Sequence, residues 1–149
     1  MKTEEDTLIS RIYHLKNITE NSIAYNFLHY HNDSINNETI NYGGLYSWVE
    51  SLACHLEKFG QKNARVLIVL PSSLEYIVAF LGCLRTRYIA VPASLPQSLA
   101  QLLRLNSIIK HSKPSFLITS SSVLNHQSYL AIKTVIEKNE IILIDLAFV

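Results

Sequence analysis

Cys54 and His55 are neighbours in the sequence, and a thiol beside an imidazole is a residue pair used in nucleophilic catalysis. Successive residues of a helix point about 100° apart, because an α-helix has about 3.6 residues per turn. The two side chains are therefore poorly placed to act as nucleophile and base. Neither Cys54 nor Cys83 belongs to a CxxC or metal-binding pattern. We expect both to be buried structural thiols, and His55 to be half-exposed.

His29 and His31 alternate along a predicted strand and could share one face, within reach of a metal ion. No third ligand candidate lies near them in the sequence. The pattern favours the solvated end of a hairpin over a metal site.

Three turns are expected at the carboxyl ends of predicted strands: Leu70–Ser73, Val91–Ser94 and Thr119–Ser122. Parallel sheets bind ligands at this edge, where glycine lets the backbone approach phosphate. None of the three turns contains glycine, and the sequence lacks GxGxxG, GxxxxGK[ST] and GxSxG. Thr119–Ser122 could bind an anion at a helix N-terminus, but ordinary N-capping is favoured. We assign no catalytic, cofactor-binding or metal-binding residue from the sequence.

Composition narrows the class of protein. The 149 residues are 48% hydrophobic and 17% charged with a net charge of +1, which is too apolar for disorder and predicts one domain over 1–149. The basic residues are scattered, so no nucleic-acid partner is expected.

Pro71 and Glu75 interrupt the longest apolar region, which excludes a membrane span. The acidic start has no apolar signal-peptide core, so we expect a cytoplasmic location.

Hydrophobic periodicity predicts three elements in the first part of the chain: a helix over 7–17, a β-hairpin and a second helix over 42–59. The hairpin strands are placed at 23–28 and 39–42, with Asn32–Ser34 and Asn36–Asn37 in the polar turn between them. Gly60 is expected to end the second helix in the left-handed conformation.

Strands and helices then alternate. Strands are predicted at 65–70, 88–91, 116–119 and 141–144, and helices between them up to 84, up to 112 and over 122–138. The first of these helices begins at the capping box Ser72-x-x-Glu75, and the second begins at the capping box Ser98-x-x-Gln101. Pro92 is expected to stop the strand at 88–91. In the helix that ends at 112, the spacing places Leu99, Leu102, Leu103, Asn106 and Ile109 on the inner face. This order predicts an α/β fold: a parallel, doubly wound sheet with helices on both faces, preceded by a helix and a β-hairpin.

Several stretches resemble the N-terminal subdomain of fatty acyl-AMP ligases. These enzymes belong to the adenylate-forming superfamily, together with acyl-CoA synthetases, luciferases and nonribosomal peptide synthetase adenylation domains. The resemblance covers about residues 8–145, and it is carried by Ile40–Leu45, Arg65–Tyr76, Ala79–Leu84, Ile89–Ala93, Leu102–Ile109 and Lys113–Thr119. Two positions depart from the family pattern. Arg87 replaces a helix-ending glycine, and Gly44 replaces the glutamate of a capping box that begins at Asn41.

The resemblance implies a parent reaction in which a fatty acid and ATP form acyl-AMP and pyrophosphate, followed by transfer to an acyl carrier protein. ATP and Mg²⁺ serve the parent family. The family's phosphate loop, Mg²⁺-binding carboxylate and lid lysine have no counterpart in these 149 residues. We therefore expect a scaffold piece of such a ligase, truncated before the phosphate loop, without its own cofactor and inactive alone. Its expected partners are the rest of the ligase or an acyl carrier protein system, and exposed apolar edges predict self-association.

Two other interpretations stay open at this point. The chain could be a stand-alone interaction module that docks on another protein. It could also be a small Rossmann-like nucleotide-binding protein, although its glycine-free turns weaken that interpretation.

Overall fold

Helices and strands alternate along the chain in the computed structural model, which describes residues 7–31, 34–61, 63–124 and 127–146. In chain order, the elements are α1 (Leu8–Thr19), β1 (Ile23–His31), β2 (Ser34–Asn41), α2 (Tyr42–Glu57), β3 (Arg65–Val69), α3 (Leu74–Arg85), β4 (Ile89–Ala93), α4 (Leu99–Ser112), β5 (Phe116–Thr119), α5 (Ser121–Leu124), α6 (Gln127–Lys138) and β6 (Ile142–Asp145). No helix among these described residues is long and apolar enough to cross a membrane.

The sheet is parallel and has the order β4-β3-β5-β6, while β1 and β2 form a separate antiparallel hairpin. Helices cover both faces of the sheet. On one face α1, α2 and α3 pack in a core that includes Leu52 and Val78, and on the other α4 and α6 pack in a core that includes Leu105 and Ile132. The predicted doubly wound α/β architecture, with a preceding helix and hairpin, is confirmed.

The position of β3 between two helical layers explains why its sequence is apolar at nearly every position. Val66 and Ile68 belong to the first core, whereas Leu67 and Val69 belong to the second. Successive side chains of a strand point to opposite faces. Because both faces are covered, both sets are buried, and the alternating pattern of a half-exposed strand is absent.

The hairpin extends further than its sequence indicates. Ser34, Asn36 and Asn37, predicted to lie in the turn, belong to β2, and the two asparagines are paired with His29 and Leu28 respectively. The predicted turn residues 32–33 lie outside the described residues. Cross-strand pairing continues beyond the asparagines to the pair of Tyr30 and Ile35. Side-chain pairing of this kind overrides the low strand propensity of asparagine.

Of the two helix caps predicted from the sequence, Ser98 is confirmed and Ser72 is not. Ser98 caps α4, since its hydroxyl accepts the N–H of Gln101 at 3.3 Å. Gln101 Oε1 accepts the N–H of Gln97 at 2.7 Å, so the reciprocal bond reaches one residue before the cap. The prediction of Ser72 as the cap of α3 is wrong. Ser73 caps this helix and accepts the N–H of Tyr76 at 3.3 Å.

Pro92 does not stop β4, contrary to the sequence prediction. The strand includes Pro92 and runs to Ala93. Ile89 N–H donates to the Ala64 carbonyl oxygen at 2.8 Å, so the backbone of Ile89 faces β3. Backbone groups alternate in direction along a strand, and Pro92 therefore directs its nitrogen toward the open edge. No ladder hydrogen bond is lost there, which is why an edge strand tolerates proline.

The inner face of α4 agrees with the prediction only in part, since Ile109 is buried and Leu102 and Asn106 are half-buried. Leu105 and Ile109 are buried, but Leu99 and Leu103 are 72% and 59% exposed. The sequence of α4 offers two apolar stripes at helical spacing, and packing against the sheet and α6 selected the one containing Leu105. The single helix predicted over 122–138 is described as α5 and α6, with 125–126 between them outside the described residues.

A residue in the left-handed conformation follows both α2 and α3, and it is glycine after α2 but arginine after α3. Gly60 has φ +63° after α2, as predicted. Arg87 has φ +60° after α3. The N–H groups of Arg87 and Tyr88 donate to the carbonyls of Leu84 and Cys83 at 3.1 and 2.8 Å, which is a Schellman arrangement. Arg87 thus adopts the conformation in which glycine is favoured.

Replacing Arg87 with glycine is expected to raise the free energy of unfolding by about 1 kcal/mol, because the left-handed conformation costs a residue with a Cβ atom about that much. The measurement is urea unfolding of the two chains. Arg87→Ala is the matched control, since it removes the charge but keeps the Cβ atom. Equal stabilisation by alanine and glycine would contradict the backbone explanation.

Candidate functional site

A groove opens at the carboxyl ends of β3 and β4, where two of the turns predicted from the sequence lie side by side. Its volume is about 480 Å³, and Pro71 and Ser72 line it from one turn while Ala93 and Ser94 line it from the other. The other lining residues are Leu70, Tyr76, Pro92, Leu95 and Gln97. Open parallel sheets bind ligands beyond the carboxyl ends of their strands. This groove is therefore the candidate binding site of the described chain.

The lining of the groove limits its chemistry. Among the described residues that form it, the polar groups are hydroxyls and an amide, and none carries a charge at neutral pH. It can hold a ligand by neutral hydrogen bonds and apolar contact. It also lies away from the switch point of the sheet, which is between β3 and β5 because the chain leaves β3 toward β4 and returns on the other side as β5.

At the switch point, two hydroxyl groups of the Thr119–Ser122 turn, those of Thr119 and Ser121, bind other parts of the protein. Thr119 is buried, and its hydroxyl donates to the Val69 carbonyl oxygen at 2.9 Å. Ser121 Oγ donates to Asp145 Oδ2 at 2.7 Å. These bonds tie β5 to β3 and α5 to β6. These two hydroxyl groups therefore have a structural role in this part of the sheet. The N-capping favoured from the sequence stays a prediction.

ATP and Mg²⁺, which the sequence resemblance implies for the parent family, need backbone donors at the phosphates and oxygen ligands at the metal. The carboxyl-edge turns carry no glycine. In the part of the chain that the structure describes, no three His, Cys, Asp or Glu side chains group where they could hold a metal ion. The described residues do not supply the donor set that these groups need. That they bind outside this chain stays a prediction.

The structure places the two cysteines differently. Cys83 is buried, as predicted, but Cys54 is exposed, and the prediction of a buried thiol there is wrong. The buried face of α2 includes Leu52, Ala53 and Leu56, so position 54 lies on the solvent side. His55 is half-buried, and its ring meets that of Phe59 at 5.8 Å.

Cys54 is expected to react with a thiol reagent in the folded protein at pH 8, whereas Cys83 is expected to stay protected. Burial raises the pKa of the Cys83 thiol from 9.0 to about 12. At pH 8 only about one Cys83 thiol in 10⁴ would be the reactive thiolate. Counting labelled thiols by mass spectrometry should give one in buffer and two in denaturant. Cys54→Ser is the control, and fast labelling of that variant in buffer would contradict the burial of Cys83.

The two histidines of the hairpin do not form a metal site with a third ligand in the described chain. His29 Nε2 lies 3.1 Å from Glu38 Oε2 across the hairpin, and its side chain is 39% exposed. His31 is the last residue of β1. The backbone of β1 thus places both histidines near the end of the hairpin, as expected.

An ion pair between α2 and α3 was not anticipated from the sequence. Arg85 Nε donates to Glu50 Oε1 at 2.6 Å, and Arg85 Nη2 donates to Glu50 Oε2 at 3.2 Å. Glu57 Oε1 lies 3.8 Å from Arg85 Nη1. The hydrogen bonds to Glu50 raise the pKa of Arg85. The available signal in the sequence was that Glu50 and Glu57 are two helical turns apart on α2. This spacing indicates an ion pair with Arg85 only once α3 is known to pack on α2.

Comparison with known proteins places this geometry in a family. The model of the AMP-binding enzyme family matches residues 18–147. The chain is 36% identical over 105 residues to long-chain-fatty-acid–AMP ligase FadD26 of Mycobacterium marinum, covering 70% of this chain and 18% of that protein. It is also 36% identical over 89 residues to putative fatty-acid–CoA ligase fadD25 of Mycobacterium tuberculosis, covering 60% of this chain and 15% of that protein.

Comparison with solved structures indicates the same family as the sequence comparisons. The fold matches the fatty acid AMP ligase from Legionella pneumophila with a TM-score of 0.79 and 25% identity, over 96% of this chain and 24% of that one. The architecture is that of the N-terminal domain of adenylate-forming enzymes. The chain spans less than a fifth of the length of the two curated relatives. The chain belongs to the AMP-binding enzyme family, and fatty acyl-AMP ligases are among its relatives.

Proposed function

We propose that this chain forms the N-terminal α/β scaffold of a fatty acyl-AMP ligase, and that polypeptide outside these 149 residues supplies the groups that bind ATP, Mg²⁺ and the acyl chain. One observation carries the proposal. The match to the Legionella ligase covers 96% of this chain but only 24% of the ligase. The chain therefore corresponds to a structural unit of that enzyme and not to the whole of it.

The described core suits a scaffold role. Eight side chains of β3 and β5 are buried between two helical layers; they are Val66, Leu67, Ile68, Val69, Phe116, Leu117, Ile118 and Thr119. A close-packed sheet of this kind holds its carboxyl edge in one position. Catalytic segments that rest on such an edge would be held in a defined geometry, which transition-state stabilisation requires.

The proposed parent reaction begins when a fatty acid carboxylate attacks the α-phosphorus of ATP. The bond from the α-phosphorus to the bridging oxygen breaks, and pyrophosphate leaves with acyl-AMP as the other product. Charge develops on the phosphoryl oxygens, so donors and a cation must be placed there beforehand. The groove at the carboxyl ends of β3 and β4 is lined by neutral groups. The 149 residues alone are thus expected to be inactive.

The test compares the isolated chain with a chimera. In the chimera, residues 1–149 replace the segment of the Legionella ligase that they match. We expect fatty-acid-dependent exchange of pyrophosphate into ATP from the chimera, at a rate above a heat-killed sample. From the isolated chain we expect no exchange above that sample.

Two controls interpret the result. The intact Legionella ligase sets the full rate, and the same ligase without the matched segment sets the background. A chimera that is insoluble, or no faster than the background, would contradict the scaffold proposal. Exchange by the isolated chain would contradict its inactivity, and ATP binding by the isolated chain would favour the nucleotide-binding interpretation.

The proposal extends to location and partners. Both cysteines are free thiols, which supports a reducing compartment such as the cytoplasm. An acyl carrier protein is the proposed acceptor of the acyl group, as the family resemblance implies.

A further inference from the structure

A second groove, the tyrosine groove, lies between α1, α2 and the end of α3. Its volume is about 790 Å³, and its lining includes Tyr13 and Tyr46, whose ring centres are 5.4 Å apart. Leu8 lines it from the start of α1, and Leu84 lines it from the end of α3. Because α3 ends where the chain enters the amino end of β4, this groove and the candidate binding site lie at opposite edges of the sheet.

The tyrosine groove is positively charged. Arg85 and Arg87 line it, and no Asp or Glu is among its described lining residues. Arg85 is paired with Glu50, but Arg87 forms no ion pair with another residue of the described chain. Lys16 Nζ lies 6.0 Å from the centre of the Tyr46 ring and adds another cation beside the groove. The groove therefore favours an acidic occupant.

Arg87 adopts a costly backbone conformation without an ion pair in return. Its φ of +60° favours glycine, and its exposed side chain lines the tyrosine groove. Residues in unfavourable backbone conformations cluster at binding sites. An arginine at this position is therefore better explained by a ligand than by the stability of the fold.

The shape of the tyrosine groove suits a protein segment better than a small molecule. Leu8 and Tyr13 are 52% and 50% exposed, so the groove is open along α1. Small-molecule sites bury most of the surface of their ligand, which an open groove does not do. Tyrosine and arginine are enriched at the centres of protein interfaces. An amphipathic helix covers such a groove with one apolar stripe.

We propose that the tyrosine groove binds an acidic, amphipathic helix of another protein. The apolar stripe of that helix covers Leu8, Tyr13 and Leu84. A carboxylate beside the stripe pairs with the Arg87 guanidinium, a geometry that fixes the orientation of the helix. The inference goes beyond the proposed ligase function and does not depend on it, since the groove is remote from the carboxyl edge of the sheet.

Two occupants from this chain itself fit less well. No described helix of a second copy has more than two acidic residues, and the two of α2, Glu50 and Glu57, already lie beside Arg85. Residues 1–6, which lie outside the described residues, contain three acidic side chains, but their only apolar one is Met1. Neither segment supplies both an apolar stripe and carboxylates that are free to pair.

Peptide titration tests the proposal. The probe is a fluorescent peptide of about 14 residues, with leucine at positions i, i+3, i+4 and i+7 and glutamate or glutamine elsewhere. In the matched peptide, lysine replaces every glutamate. By fluorescence anisotropy, we expect the chain to bind the glutamate peptide at least about tenfold more tightly than the lysine peptide. Added salt should reduce this difference.

Variants at one position separate binding from folding. Arg87→Ala should weaken binding of the glutamate peptide about three- to tenfold. Arg87→Gly should weaken it equally, although this substitution is expected to stabilise the chain. Arg87→Lys should recover part of the affinity. Arg104→Ala is the matched control, because Arg104 is exposed on α4 at the other face of the sheet, and it should keep the affinity within about twofold.

Several results would overturn the proposal. They are no binding of the glutamate peptide at about 1 mM chain, equal or tighter binding of the lysine peptide, and unchanged affinity of the Arg87→Ala variant. Deleting residues 1–6 should keep the affinity within about twofold, and a tenfold rise would assign the groove to the start of this chain. Dimers that the peptide dissociates would assign it to a second copy, and displacement of the peptide by micromolar dodecanoate would assign it to a small acid.

The chimera separates this inference from the proposed function. Arg87→Ala in the chimera should keep the exchange of pyrophosphate within about twofold, because the groove is remote from the carboxyl edge. An inactive chimera that still binds the glutamate peptide would contradict the scaffold function and support the docking site. An active chimera that does not bind the peptide would do the reverse.

Discussion

Replacing Phe116 with alanine is expected to lower the free energy of unfolding by about 3–5 kcal/mol. Phe116 is fully buried at the start of β5. Its ring meets the ring of Phe59 at 5.0 Å and is stacked with that of Tyr88 at 5.9 Å. The Tyr88 hydroxyl in turn donates to the Leu56 carbonyl oxygen at 3.1 Å, which ties this aromatic group to α2. The substitution would leave a cavity among groups that cannot all move to fill it.

The loss is a large fraction of the total stability, because a domain of this size has about 5–15 kcal/mol. Urea unfolding followed by circular dichroism measures it. Leu99→Ala is the control, since Leu99 is 72% exposed and alanine suits a helix equally well. Its free energy of unfolding should change by less than about 0.5 kcal/mol. A Phe116→Ala loss as small as that of the control would contradict the burial of this ring.

Replacing Gly82 with alanine is expected to lower the free energy of unfolding by about 1–3 kcal/mol, even though alanine favours a helix by about 1 kcal/mol over glycine. A Cβ atom at Gly82 would lie 2.6 Å from Leu52 Cδ2 and 3.0 Å from Leu52 Cγ. Leu52 is fully buried between α2 and α3. It has no free space to move into, so the two helices would have to separate.

Gly43 is a matched control for this prediction. A Cβ atom there would also meet a side-chain atom at 2.6 Å, but the atom is Cγ of the exposed residue Glu20. That flexible side chain can turn into solvent. Gly43→Ala is therefore expected to be neutral or to stabilise the chain by up to about 1 kcal/mol. Equal effects of the two substitutions in urea unfolding would show that the close approach at Gly82 is not rigid.

Local patterns in the sequence were sufficient for the order of elements from α1 to β6, except that one helix was predicted where α5 and α6 are found. The apolar run at 65–70 predicted a strand covered on both faces, and serine before an amphipathic segment predicted the start of α4 at Ser98. Gly60 predicted the left-handed end of α2. These features depend on residues within one or two turns of each other, and their physical causes are propensity, capping and periodicity.

Other features depend on partners far away in the sequence. Pro92 is acceptable in β4 only because that strand is at the edge of the sheet, and strand order is a property of the assembled fold. The inner stripe of α4 was chosen by its packing against the sheet and α6. Cys54 is exposed because α2 turns Leu52 and Leu56 toward α3.

The candidate site shows the same division. The sequence by itself determined that the carboxyl-edge turns contain no glycine, and it therefore excluded the common phosphate-binding loops. Only the tertiary structure decided that two of these turns line a groove, whereas in the third the hydroxyls of Thr119 and Ser121 bind to β3 and β6. It also brought Arg85 to Glu50, 35 residues apart in the chain. Such contacts form when helices pack, and no local pattern specifies which helix faces will meet.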